Sequence, residues 1–179
     1  MNINLVPLSF SGNELFENII SGLKKYFPVF NVQKFHLHIN PESEFSKERN
    51  QYFSTGLIVK AIEKSENIDG KVLFLTDLDL YVPVLTYLFG EAQLDGKHSI
   101  VSVCRLHEEF YSGVSDDKLL YERTMKEVLH ELGHNFGLFH CLDWDCVMHS
   151  SPGIEEVDIK GNGYCKVCID LIKSTIVAE

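Results

Sequence analysis

One stretch constrains the backbone more than any other: HELGHNFGLFHCLDWDCVM, from His130 to Met148, followed at 165–168 by CKVC, which sets three histidines and a glutamate against four cysteines. On a helix His130 and His134 lie one turn apart, so at about 100° per residue their directions differ by only ~40° and both imidazoles reach one ion. Glu131 lies about 60° from His134 at the same periodicity. It is therefore placed to hydrogen-bond a water on the metal rather than to bind the metal. A third ligand further along a straight helix would recede, so the helix has to end. Gly137 supplies the ending, because glycine takes the left-handed conformation of a helix C-cap without penalty, and the chain doubles back to deliver His140. Three neutral nitrogens leave one position open, as expected of a catalytic zinc rather than a closed structural one.

H-E-x-x-H alone is short enough to occur by chance on a helix with surface histidines. Gly137, His140 and a downstream Met148, all at consistent offsets, lift the reading above that competitor. His107-Glu108 starts the same way, but Tyr111 stands where the second histidine is needed. His36 and His38 fall two apart in a strand-like segment, where solvent-facing alternation is the simpler explanation. His98 and His149 have no companion ligands in sequence.

The five cysteines stand at 104, 141, 146, 165 and 168, an odd count with four of the five in the last quarter of the chain. Cys141 and Cys146 bracket a short loop, and Cys165 and Cys168 sit three apart at the start of an expected helix. Pair plus pair is the grammar of a closed four-thiolate zinc site. A redox pair at Cys165 and Cys168 is the rival, but it lacks a preceding βαβ unit. A disulfide between Cys141 and Cys146 remains open for an oxidising compartment. Cys104, inside an apolar run, reads as a small buried hydrophobe.

These expectations place two zinc ions in the chain, one at the histidines and one at the cysteines, meeting at the His140–Cys141 bond. At 179 residues the chain fits one domain, with sheet and helices over 1–136 and a loop-rich portion with a last helix over 137–179. Acidic residues outnumber basic ones by 26 to 16, and no lysine or arginine run forms a phosphate-binding stripe, so nucleic acid is not an expected partner. No apolar run approaches a membrane span, and MNINLVPLSFSGNELF lacks the pattern of a secretion signal. A cytoplasmic monomer is expected.

Strands are predicted at Ile3–Leu8, Val29–Ile39, Lys71–Thr76 and Ser99–Leu106, with an edge strand within Val82–Ala92 because Pro83 and Gly90 bracket it. Helices are predicted from a Ser11/Glu14 capping box to Tyr26, over Gln51–Ser65, over Lys118–Phe136 and over Tyr164–Val177. Strands alternating with helices make an α/β chain.

H-E-x-x-H-x-x-G-x-x-H with a later methionine is the metzincin signature. Together with C-x4-C-x-M, C-x-x-C and the upstream TDLDLYVPVLTYLFGEAQLDG and SIVSVCRL, it resembles the archaemetzincin family of zinc metalloproteases. The likeness is strongest from Thr76 to Cys168. It implies a compact mixed twisted sheet backed by helices, with the motif helix flooring a cleft and an edge strand around Leu85–Phe89 binding an extended peptide. It implies catalytic-zinc ligands at His130, His134 and His140, Glu131 as general base, Met148 as the Met-turn residue, and Cys141, Cys146, Cys165 and Cys168 on a structural zinc. The expected reaction is peptide-bond hydrolysis by a water held on zinc. No tyrosine follows Met148 closely enough to serve as a second oxyanion donor, leaving Tyr164 and His149 as the nearest candidates. A zinc-stabilised peptide-binding module with little or no hydrolysis is the alternative reading.

Overall fold

The computed structural model describes residues 1–178. Strands β1 (Asn2–Leu8), β5 (Lys71–Thr76) and β8 (His98–Ser102) are almost continuously buried, the mark of strands covered on both faces. They pair in parallel, β1 with β5 and β5 with β8, while β2 (Asn31–Lys34) adds in parallel to the other side of β1. A short strand β7 (Gly90–Ala92) runs antiparallel along β8 and closes one edge, giving the order β2-β1-β5-β8-β7. A second, small sheet has the order β3 (Phe45–Ser46), β4 (Gln51–Phe53), β6 (Leu80–Tyr81).

The strand period of two divides the core. Leu5, Leu73, Leu75 and Val101 join one apolar cluster with residues of α1 (Asn13–Tyr26), α4 (Asp117–Asn135) and α6 (Lys166–Ala178). Val6, Val72, Phe74 and Ile100 join another with Leu57, Ile58 and Ala61 of α2 (Ser54–Lys64). This is an α/β fold with helices on both faces, and it lays α4 along β7 and β8, at the open edge of the sheet.

Several local expectations shift. Ser11 does not cap α1: its amide and hydroxyl both donate to Asp77 at 2.8 Å, and α1 starts at Asn13 without a side-chain cap. The strand expected over Val29–Ile39 is paired only over Asn31–Lys34. Gln51–Phe53, expected as the first turn of a helix, is β4, with α2 following from Ser54. The edge strand lies at Gly90–Ala92 rather than Leu85–Phe89, because the carbonyls of Leu85 and Thr86 are taken by Arg49 and that of Thr86 also by Gln51. Cys104 is half-buried just beyond β8. The last helix begins at Lys166, the short helix α5 (Ile154–Ile159) falls in the portion read as loop-rich, and another, α3 (Glu109–Ser112), lies where no element was predicted.

Candidate active site and the adjoining cysteine cluster

Helix α4 opens with Asp116 as N-cap, its carboxylate accepting from the Leu119 amide at 2.9 Å. It closes as the spacing required. Gly137 has φ of 85°, its amide bonds to the His134 carbonyl, and the Leu138 amide reaches back to the Gly133 carbonyl, the paired bonds of a Schellman turn. The turn also presents a ligand-orienting carbonyl, since Leu138 O accepts from His134 Nδ1 at 2.7 Å. On the other side Val147 O accepts from His130 Nδ1 at 2.8 Å. Each carbonyl holds the proton on Nδ1, which leaves Nε2 as the lone-pair nitrogen and fixes its direction.

The two Nε2 atoms lie 3.2 Å apart, and the His140 ring joins them with centroid distances of 5.2 and 5.1 Å. A tetrahedral zinc with Zn–N of ~2.0–2.1 Å spaces its nitrogens roughly 3.3 Å apart. One donor atom from each of the three histidines lies within 4.8 Å of the others. The residues therefore fit the ion. Burial lowers the pKa of all three imidazoles, most strongly at His130, and keeps them in the neutral form that binds metal.

Glu131 projects toward β7, where Gly90 leaves just enough room: a Cβ at Gly90 would lie 2.6–2.8 Å from the Glu131 side chain. Burial, reinforced by the charge of Glu127, pushes its carboxyl well above the usual carboxylate range. Beneath the histidines, fully buried Met148 packs its thioether against Gly133, where an added Cβ would fall 2.3 Å from Sδ. Tyr164 is buried and its hydroxyl donates to Leu129 O at 2.5 Å. His149 stacks on Trp144 at 3.8 Å, with Nδ1 3.0 Å from Cys141 O. Neither lines the cleft, so neither supplies the missing second donor.

The cleft has a volume of about 560 Å³. One wall is the strip Leu85–Ala92, the floor is Glu127, His130, Glu131 and His134 of α4, and the rest comes from Leu94, Phe139, His140, Ser150–Pro152 and Lys160. Glu91, on β7, accepts from the hydroxyls of Ser54 and Thr55 in the first turn of α2, which fastens the edge strand at the cleft mouth. Sequence reasoning missed Glu91, Glu127 and Lys160. Only Glu127 carried a signal there, as a carboxylate one turn before Glu131 on the motif face.

Beyond the His140–Cys141 bond the four cysteines converge. Cys141 and Cys165 sulfurs are 3.9 Å apart, Cys146 and Cys168 sulfurs 3.7 Å, and all four lie within 4.8 Å of one another. A disulfide needs about 2.05 Å, and none of the four is bonded. Tetrahedral zinc with Zn–S of ~2.3 Å spaces sulfurs roughly 3.8 Å apart. The Cys165 amide donates to Cys146 Sγ at 3.3 Å, and the Cys141 amide bonds Met148 O at 2.9 Å, tying the cluster to the turn beneath the histidines. Burial raises the thiols of Cys146 and Cys168, whereas the Cys168 amide lowers that of Cys165. His36, His38, His98 and His107 belong to neither cluster.

An α/β sheet flanked by a helix carrying two histidines and a glutamate, with a third histidine returned over a glycine turn, defines a zinc peptidase of the metzincin kind. Residues 16–174 match Peptidase family M54. A protein named archaemetzincin from Methanopyrus kandleri is 37% identical over 171 residues, covering 96% of this chain and 91% of its own. The crystal structure of archaemetzincin from the same organism superposes with a TM-score of 0.82 at 34% identity, covering 99% of this chain and 96% of its own. That of a zinc-dependent peptidase from Methanocorpusculum labreanum superposes at 0.84 with 29% identity, covering 95% and 99%. The chain belongs to peptidase family M54, the archaemetzincins, and is a zinc metallopeptidase.

Proposed function

We propose that the chain hydrolyses peptide bonds in the cleft between α4 and β7, with zinc on His130, His134 and His140 and with Glu131 as general base. The observation that carries this is the pair of Nε2 atoms, 3.2 Å apart, each aimed by a carbonyl on its Nδ1. Zinc held by these nitrogens would supply Lewis-acid activation of a water and of the scissile carbonyl. Glu131, buried against Gly90, takes the water proton during attack and returns it to the leaving nitrogen. Strand β7 at the sheet edge offers its free side to an extended peptide, which aligns the scissile bond over the glutamate. Met148 serves as the Met-turn residue by packing, not by coordination.

A second zinc on Cys141, Cys146, Cys165 and Cys168 is structural in this reading. It pins α6 and the loop after Cys141, and so holds His140 in place. The protein works as one unit over 1–179, as a monomer, in the reducing cytoplasm that such thiols require. Among the described residues no helix is long and apolar enough to cross a membrane.

The test is turnover of a peptide library by the zinc-loaded protein, with Glu131→Gln as control. Cleavage by the parent that disappears in the variant is expected. Undiminished cleavage in Glu131→Gln would sink the mechanism, and tight binding without cleavage by the parent would favour the peptide-binding module.

A further inference from the structure

At the end of the cleft remote from His134 lies an ion pair that the hydrolytic machinery does not use. Lys160 Nζ and Glu127 Oε1 are 2.8 Å apart, with side-chain exposures of 0% and 5%, and both residues line the cleft. A buried pair of this kind is rarely a net gain in stability over apolar side chains of similar volume. Lys160 is nevertheless held firmly. It caps α5, its amide bonding Glu156 O at 3.0 Å, and α5 is clamped to α4 by Arg123 on Asp158 at 2.7 Å and by Lys126 on the Val157 and Asp158 carbonyls at 2.8 Å. An ammonium has three donors. The contact with Glu127 is an ion pair only: among the described residues neither Lys160 Nζ nor Glu127 Oε1 has an aligned hydrogen-bond partner.

We propose that Lys160 is a specificity-determining residue that receives a substrate carboxylate beside the scissile bond. Glu127 precedes Glu131 by four residues, so its backbone lies about 6 Å along the helix axis from that of the general base. Among the described residues no other lysine or arginine lines the cleft. A carboxylate entering there fills the spare donors and completes the shell of a cation that the protein alone leaves partly bonded. The carboxylate has two sources, an acidic side chain or the free C-terminus of a short peptide. This inference rests on the reading of the cleft as a peptide site.

The experiment measures binding by calorimetry to the zinc-loaded Glu131→Gln protein, so that affinity is read without turnover. The probes are capped penta-alanine with a central Glu or a central Gln, and tri-alanine as free acid or as amide. At least tenfold tighter binding of the Glu peptide identifies a side-chain carboxylate, and the same ratio for the free acid over the amide identifies a terminal one. Either preference should vanish when Lys160→Met and Glu127→Gln are combined, a pair that leaves no lone buried charge. Equal binding of acid and amide probes, no binding of any probe, or a preference that survives the combined variant would overturn the proposal. If the combined variant does not fold, the acid-to-amide ratio on the Glu131→Gln protein alone decides. Failure of the hydrolytic reading shows separately, as a parent protein that cleaves none of the probes while the binding ratios stand.

Discussion

The two ligand clusters share the His140–Cys141 bond, yet they are built for opposite ends. The histidines sit on the floor of a cleft of about 560 Å³, with His130 buried, His134 partly so and His140 exposed. Two of them are aimed by backbone carbonyls of the turns around them. The cysteines form a closed shell with Cys146 and Cys168 buried, filled by sulfur on all sides and stitched by the Cys165 amide to Cys146. An open set that is oriented from outside can exchange a ligand and do chemistry. A closed set that orients itself leaves no position for a substrate. The difference teaches where to look for coupling: His140 is the histidine without a carbonyl partner on its ring, and it adjoins the cysteine cluster through Cys141.

The largest expected effect separates chemistry from metal binding at the open site. Glu131→Gln should lower turnover by about 10²–10⁴-fold while bound zinc, measured by atomic absorption, stays as in the parent. Parallel loss of both would mean that Glu131 binds the ion. Next comes the dependence of the open site on the closed one. Cys165→Ser with Cys168→Ser should weaken zinc at the histidines by about 10–100-fold, the usual cost of losing a group that orients a ligand, and should lower the melting temperature. Metal titration of this variant with unchanged affinity at the histidines would show the clusters to be independent.

Acid should loosen the histidine side first. His98 on β8 is 4% exposed, contacts Ser65 and Gln93, and its carbonyl accepts from Asn135 in the last turn of α4. Burial, helped by Lys97, lowers its pKa to about 4. The folded state thus holds His98 neutral while the unfolded chain takes up its proton. The stability is complete above about pH 6.5, falls as pH drops below that, and its loss levels off below about pH 4, amounting to up to about 3 kcal/mol. Urea unfolding from pH 7.5 to 4 measures it, and His98→Gln should flatten that part of the profile. The smallest effect probes the packing under the histidines. Gly133→Ala forces a Cβ to 2.3 Å from Met148 Sδ and should cost about 1–3 kcal/mol in unfolding free energy. Adding Met148→Ala should recover part of that cost.

Helix α4, its end at Gly137 and the fold class were legible because ligand geometry and strand burial impose them locally. Elsewhere local signals lost to distant partners. Ser11 resembled a cap, but Asp77 lies 66 residues away and takes both its donors. The family resemblance implied an edge strand around Leu85–Phe89, yet Arg49 and Gln51 occupy the Leu85 and Thr86 carbonyls that pairing would use. Lys160 was invisible because nothing in sequence connects it with Glu127. Only α5, itself unpredicted, brings the two together. The two clusters were readable since metal sites restrict residue type and spacing, whereas the groups that shape the pocket answer to tertiary packing alone.

The division into an open and a closed site is tested most directly by zinc content per chain during chelation. The protein should carry two zincs and give up one to a moderate excess of chelator, losing peptidase activity in step, while the second stays bound and the fold melts as one cooperative unit. A single zinc, or two that leave together at one rate, would contradict it.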